Sequence, residues 1–232
     1  NKALSVIRKS FSCMVAGDQH LGTVMKHGVS DWDDSGYSFC VPSIANLWLR
    51  WWQPTTPGKN RKKNSPDYTG EFLDGFQNKI TVHAVANPTL SERQQEGGKL
   101  STRAAGFGIV KYNKPNRTIT FECWGRNTDI FDGASRQYPG WPITISQEEN
   151  YSPKGVWQLP ELEISEPNQV VTVRDANSNE VFSSIRVKGN TYQPFGLPSE
   201  TYSIEIGQGE QKKVLPQLTT KKRNRNRIEV KL

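Results

Sequence analysis

The residues best placed to do chemistry are Asp18 and His20, in the run Gly17-Asp18-Gln19-His20. They follow the apolar segment Cys13-Met14-Val15-Ala16, which reads as a short buried strand. A carboxylate and an imidazole just past a strand end sit where open α/β sheets bind their ligands. Both groups are ordinary ligands for zinc, iron or manganese. Gly17 and Gly22 permit close backbone approach at this point. The competing reading is a turn aspartate beside a surface histidine. Two further histidines complete the set. His27 is placed to touch substrate or a metal ligand. His83 falls in a strand pattern, opposite a face formed by Ile80, Val82 and Ala84, and reads as structural. Asp31, Asp33 and Asp34 read as a solvated loop or helix start, because the alternating oxygens and closing Glu of a calcium loop are missing. The chain carries no serine nucleophile elbow, Walker loop or Rossmann glycine pattern.

The elements that must position Asp18 and His20 come first in the chain. Leu4, Ile7 and Phe11 recur at helical spacing over residues 2–11, so an amphipathic helix precedes the strand at 12–16. Helix, strand and functional loop make an α/β unit in which the helix packs on a sheet. One such unit cannot cover both faces of a sheet, so the rest of that sheet is expected from outside this chain. Strand patterning returns at 36–41 and at 79–85, and a helical turn fits Ser43 to Leu49. Residues 55–70 read as a polar basic loop. Residues 105–124 hold two alternating runs around Asn113-Lys114-Pro115-Asn116, a β-hairpin signature. Residues 126–160 read as irregular, with a rigid Tyr138-Pro139-Gly140-Trp141-Pro142 segment. A second unit, 161–232, shows short strands around Val170 to Val173, Val181 to Val187, Tyr202 to Ile206 and Ile228 to Val230. The turn Asp175 to Asn179 joins the first two of these. This spacing suggests a small antiparallel sandwich with Tyr202 at a corner.

Composition sets bounds. The chain has 232 residues, 34% hydrophobic and 10% aromatic, with seven Trp, which suffices for packed cores. Fourteen Pro and 19 Gly favour strands and loops over long helices. The net charge of +7 owes much to the runs 59–63 and 221–227. These runs lack interleaved aromatics and read as solvated segments, not as a nucleic-acid site. Three widely spaced cysteines, Cys13, Cys40 and Cys123, form no zinc pattern and read as buried free thiols. No apolar run is long enough to span a membrane as a helix. The chain opens at Asn1 with residues that already look like the middle of a helix, and no signal peptide is evident. The sequons at Asn116 and Asn150 are short enough to arise by chance.

Several of these segments, in order, resemble the C-terminal part of PhoD-like metallophosphatases. They are Ala16-Gly17-Asp18-Gln19-His20-Leu21, His27-Gly28, Asp31-Trp32, 36–46, Gly75-Phe76-Gln77-Asn78-Lys79-Ile80-Thr81-Val82, 84–88, 106–110 and 118–124. The resemblance covers roughly residues 1–160. It implies the C-terminal part of an αββα metallophosphoesterase core, in which a metal-activated water hydrolyses phosphomonoesters or phosphodiesters. It places Asp18 and His20 at the family's last site motif, with His20 binding a divalent or trivalent ion (Fe, Ca, Zn or Mn). The family's earlier motifs have no counterpart here, so this chain is expected to be a fragment, inactive alone, whose partner is the missing N-terminal part of the domain. Residues 161–232 resemble the Ig-like or carboxypeptidase-regulatory-like modules of extracellular and periplasmic enzymes. That favours a periplasmic or secreted location, while the free thiols point inward. The alternative function is a non-catalytic protein that engages a polyanion or carbohydrate through basic loops and exposed aromatics.

Overall fold

The computed structural model describes residues 1–45, 50–88, 105–133 and 135–232. The helical turn expected over Ser43 to Leu49 falls largely outside them. The described chain is rich in β structure, in several small sheets.

The chain begins with helix α1 (Lys2–Ile7), continued by a 3-10 turn, Arg8–Ser10. Phe11 ends the turn in the left-handed region (φ 52°) and drops its ring into a core. Five strands follow: β1 (Met14–Ala16), β2 (Thr23–His27), β3 (Tyr37–Cys40), β4 (Gly70–Leu73) and β5 (Lys79–Val85). They form one sheet in the order β1-β3-β2-β5-β4, in which only the β1–β3 pair is parallel. The expected α/β arrangement differs here in two respects. Helix α1 buries none of its residues. Strand β1 is a sheet edge, and its Val15 is 52% exposed, so it is not the buried strand its apolar run suggests. Strand β4 lies at the end of the segment read as a loop.

The expected hairpin forms as β6 (Gly106–Asn113) and β7 (Thr118–Gly125), and β8 (Ile143–Ser146) adds to β7 within the segment read as irregular. Val24, Tyr37, Phe39 and Ala84 of the first sheet pack against Ile119, Phe121, Cys123 and Ile145 of the second, with Trp141 closing the core. Burying a large apolar side chain such as Phe121, fully enclosed here, contributes about 1.5–3 kcal/mol. A bulge in β5 controls which residues join this core. Val24 pairs with Ala84 but Met25 pairs with Val82, so His83 is the extra residue. The bulge moves Ala84 off the face of Ile80 and Val82, where strict alternation would put it, and into the core.

The remaining strands are β9 (Trp157–Gln158), β10 (Glu161–Ile164), β11 (Val170–Asp175), β12 (Val181–Arg186), β13 (Thr191–Tyr192), β14 (Phe195–Gly196), β15 (Thr201–Ile206), β16 (Lys213–Thr219) and β17 (Arg227–Val230). Sheets β12-β11-β15-β16 and β13-β10-β17, together with the β9–β14 pair, enclose a second core. Strict alternation builds it: Tyr202, Ile204 and Ile206 point inward from β15, and Val171 and Val173 from β11. Asp175 accepts the N–H groups of Asn177 and Ser178, which folds the β11–β12 turn. Phe11 and Tyr151, from outside residues 161–232, also belong to this core.

Candidate functional site

Strand β1 delivers Gly17 to His20 beyond the C-terminal end of the first sheet. Val41 N–H donates to Ala16 O at 2.8 Å, so the ladder with β3 runs to the loop's start. Asp18 then turns with φ 67°, a left-handed conformation that aspartate tolerates better than most residues. Asp18 is exposed and His20 half-buried. The Gln19 backbone contacts the Cys40 thiol, which pins the loop to the end of β3. The two glycines play unequal parts. A side chain on Gly17 would meet nothing. One on Gly22 would meet Cys123 Sγ at 2.8 Å and Pro42 at 3.0 Å, so Gly22 serves core packing.

His27 ends β2, whereas His20 lies just before its start. The strand between them spans roughly 13 Å. His27 therefore does not join Asp18 and His20. Its Nε2 and the Ser38 hydroxyl lie 2.8 Å apart, and burial lowers its pKa, with Asp74 opposing the shift.

The acidic cluster is not uniformly solvated. Asp34 is 2% exposed and accepts the N–H groups of Val29, Ser30 and Asp31 at 2.6, 3.0 and 3.1 Å. Arg8 bridges to the same carboxylate at 2.9 Å. Asp34 thus folds the loop from Gly28 to Gly36 and ties it to the N-terminal helical segment.

A polar group lies at the His27 end of the first sheet's inner face. Lys26 shares the face of Val24 and is 7% exposed, with Nζ 5.3 Å from the centre of the Tyr37 ring. Tyr37 donates to Glu149 at 3.2 Å, and its ring lies 5.1 Å from that of His83. Burial lowers the pKa of both Lys26 and His83, against the pull of Asp33 and Glu149. His83 lies within β5, as its strand pattern implied, and stacks near Tyr37. The sequence signal for the buried lysine is its alternation with Val24 in Thr23–His27.

The basic run 221–227 is partly built into the fold. Arg227 bridges Glu161 and Glu163, Asn224 is buried, and Lys221 pairs with Gln158 through the backbone.

Among the described residues no group of three His, Cys, Asp or Glu side chains converges as a metal site. Asp18 and His20 offer two donors, and a catalytic zinc generally takes three from the protein. Comparison with protein-family models, curated proteins and solved structures gives no significant match. The same residues include no helix long and apolar enough to cross a membrane.

Proposed function

We propose that the chain contributes the Gly17–His20 loop to the centre of a PhoD-like metal-dependent phosphoesterase acting on phosphomonoesters or phosphodiesters. The observation that carries this reading is the open edge of β1. Among the described residues this strand pairs on one side only, leaves Val15 exposed, and presents Asp18 and His20 just past its end. A further strand laid along that edge would bring its own loop beside them and complete both the sheet and the donor set. His20 supplies an imidazole nitrogen and Asp18 a carboxylate oxygen. A metal held there would polarise a phosphoryl oxygen and acidify a bound water. Among the described residues the donor set is incomplete, so no appreciable hydrolysis is expected from this chain in isolation. In the same reading, residues 161–232 are an Ig-like or carboxypeptidase-regulatory-like module, and the enzyme works in the periplasm or outside the cell.

The test extends the chain upstream along its own reading frame. The longer protein is assayed for metal content and for hydrolysis of p-nitrophenyl phosphate and its bis-ester. His20→Ala is expected to lower activity by about 100-fold or more, with loss of metal. Wild-type activity and metal content in that variant overturn the reading, as does an upstream frame that encodes no further Asp, Asn or His donor motif.

A further inference from the structure

At the other end of β1 lies a cleft of about 290 Å³, where the two cores meet. Phe11, from one core, and Ile119, from the other, form its apolar floor. Junctions of this kind are where small-ligand sites concentrate, and the volume falls just below their usual range, which suits a very small ligand. Its walls are Ser10, Ser12 and Cys13 on one side and the β6–β7 turn, with Tyr112, Lys114 and Arg117, on the other.

Every charged side chain that lines the cleft is a cation; no carboxylate is among them. Neither Lys114 nor Arg117 has an ion-pair partner among the described residues. The turn that carries them is fixed. Gln147 N–H donates to Arg117 O at 2.8 Å, and Asn116 N–H to Asn113 Oδ1 at 3.0 Å. One guanidinium nitrogen of Arg117 reaches Asn168 Oδ1 at 3.0 Å and Val187 O at 3.3 Å, while its buried Nε has no acceptor. The neutral groups beside them include the Ser10 and Ser12 hydroxyls, 2.8 Å apart, of which Ser10 donates to Ile7 O at 2.8 Å, and a Cys13 thiol hydrogen-bonded to Tyr112. Burial raises the pKa of both Cys13 and Tyr112, so neither adds negative charge near neutral pH.

We propose that this cleft binds a small phosphate-bearing anion, either inorganic phosphate or a simple phosphate monoester, between Lys114 and Arg117. Two cations without an ion-pair partner, and no carboxylate beside them, suit a compact dianion with several acceptor oxygens. The site is separate from Asp18 and His20. Strand β1 runs between them, roughly 10 Å in length, and the inference does not rest on the phosphoesterase reading.

The test is a titration of the 232-residue chain with inorganic phosphate and, separately, with phenyl phosphate, followed by backbone amide shifts. Saturable shifts are expected at residues 112–118 and 10–13. Lys114 is exposed, so Lys114→Glu should fold normally while weakening binding about tenfold or more by placing like charge at the site. His20→Ala should bind as the unaltered chain does. A stronger response to phenyl phosphate than to phosphate assigns the site to monoesters, and the reverse to the free ion. The proposal is overturned if those residues do not shift, if Lys114→Glu binds equally well, or if His20→Ala abolishes binding while Lys114→Glu does not. The last result would put the anion at the far end of β1.

Discussion

Arg8 and Asp34 form a largely buried ion pair at 2.9 Å that joins the N-terminal helical segment to the loop leaving β2. The two residues contribute unequally. Asp34 also holds three backbone N–H groups, whereas among the described residues Arg8 has only Asp34 as a charged partner. Removing the carboxylate strands those donors and a half-buried cation. Asp34→Ala is therefore expected to cost about 3–5 kcal/mol, and Arg8→Ala distinctly less. Urea denaturation of the two variants measures both, and equal losses would show that the N–H cage contributes nothing.

Stability should fall on mild acidification. His27 and His83 are buried, and burial lowers both pKa values below the usual 6.5. Near and below that pH the unfolded chain binds protons at these positions and the folded chain resists them. Their contribution is thus complete above about pH 6.5 and is lost as the pH falls towards the folded values. His27→Gln combined with His83→Gln should flatten the stability profile across that window. Imidazole proton shifts, followed by NMR against pH, check the direction independently.

The thiols should differ in reactivity. Cys40 and Cys123 are buried and Cys13 is half-buried, and burial raises the pKa of all three. The thiolate is the reacting species. Under native conditions a disulfide reagent such as DTNB should modify Cys13 slowly and the other two hardly at all. In denaturant all three should react fully. Fast native labelling of Cys123 would mean that the first core opens readily.

Tyr202 gives a graded test of the second core. Its hydroxyl accepts the N–H of Leu197 at 2.9 Å, and its ring is 1% exposed. Tyr202→Phe removes only that bond and should cost about 1–2 kcal/mol. A Cβ on Gly196 would overlap the same ring. Gly196→Ala should therefore destabilise more than Tyr202→Phe does, by about 1–3 kcal/mol in its own right. Thermal melts of the two variants give the order.

The sequence was most legible where alternation and turn chemistry agree. The β6–β7 hairpin and the Asp175 turn follow from local residues, and the structure contains both. Position within a sheet was not legible locally. Met14-Val15-Ala16 reads as buried, yet it forms an edge, because what covers a strand is decided by residues far away in the chain. The β5 bulge was hidden for the same reason: Ile80, Val82 and Ala84 alternate perfectly, and only the register against β2 places His83 out of step. Asp31, Asp33 and Asp34 look interchangeable on paper. Arg8, which singles out Asp34, lies 26 positions earlier. At the candidate site, the strand end and its loop were readable from the sequence. The separation of His27 from His20 required the length of β2.

Strand β17 carries a consequence for synthesis. It lies parallel to β10, the strand at the start of the second unit, with Glu161 opposite Arg227 and Ile164 opposite Val230. Val230 is 1% exposed in the core that both strands help to cover. On a ribosome, β10 would emerge long before its neighbour and would wait with one side unpaired. A chain that lacked residues 227–230 would leave that side of β10 as an unprotected edge.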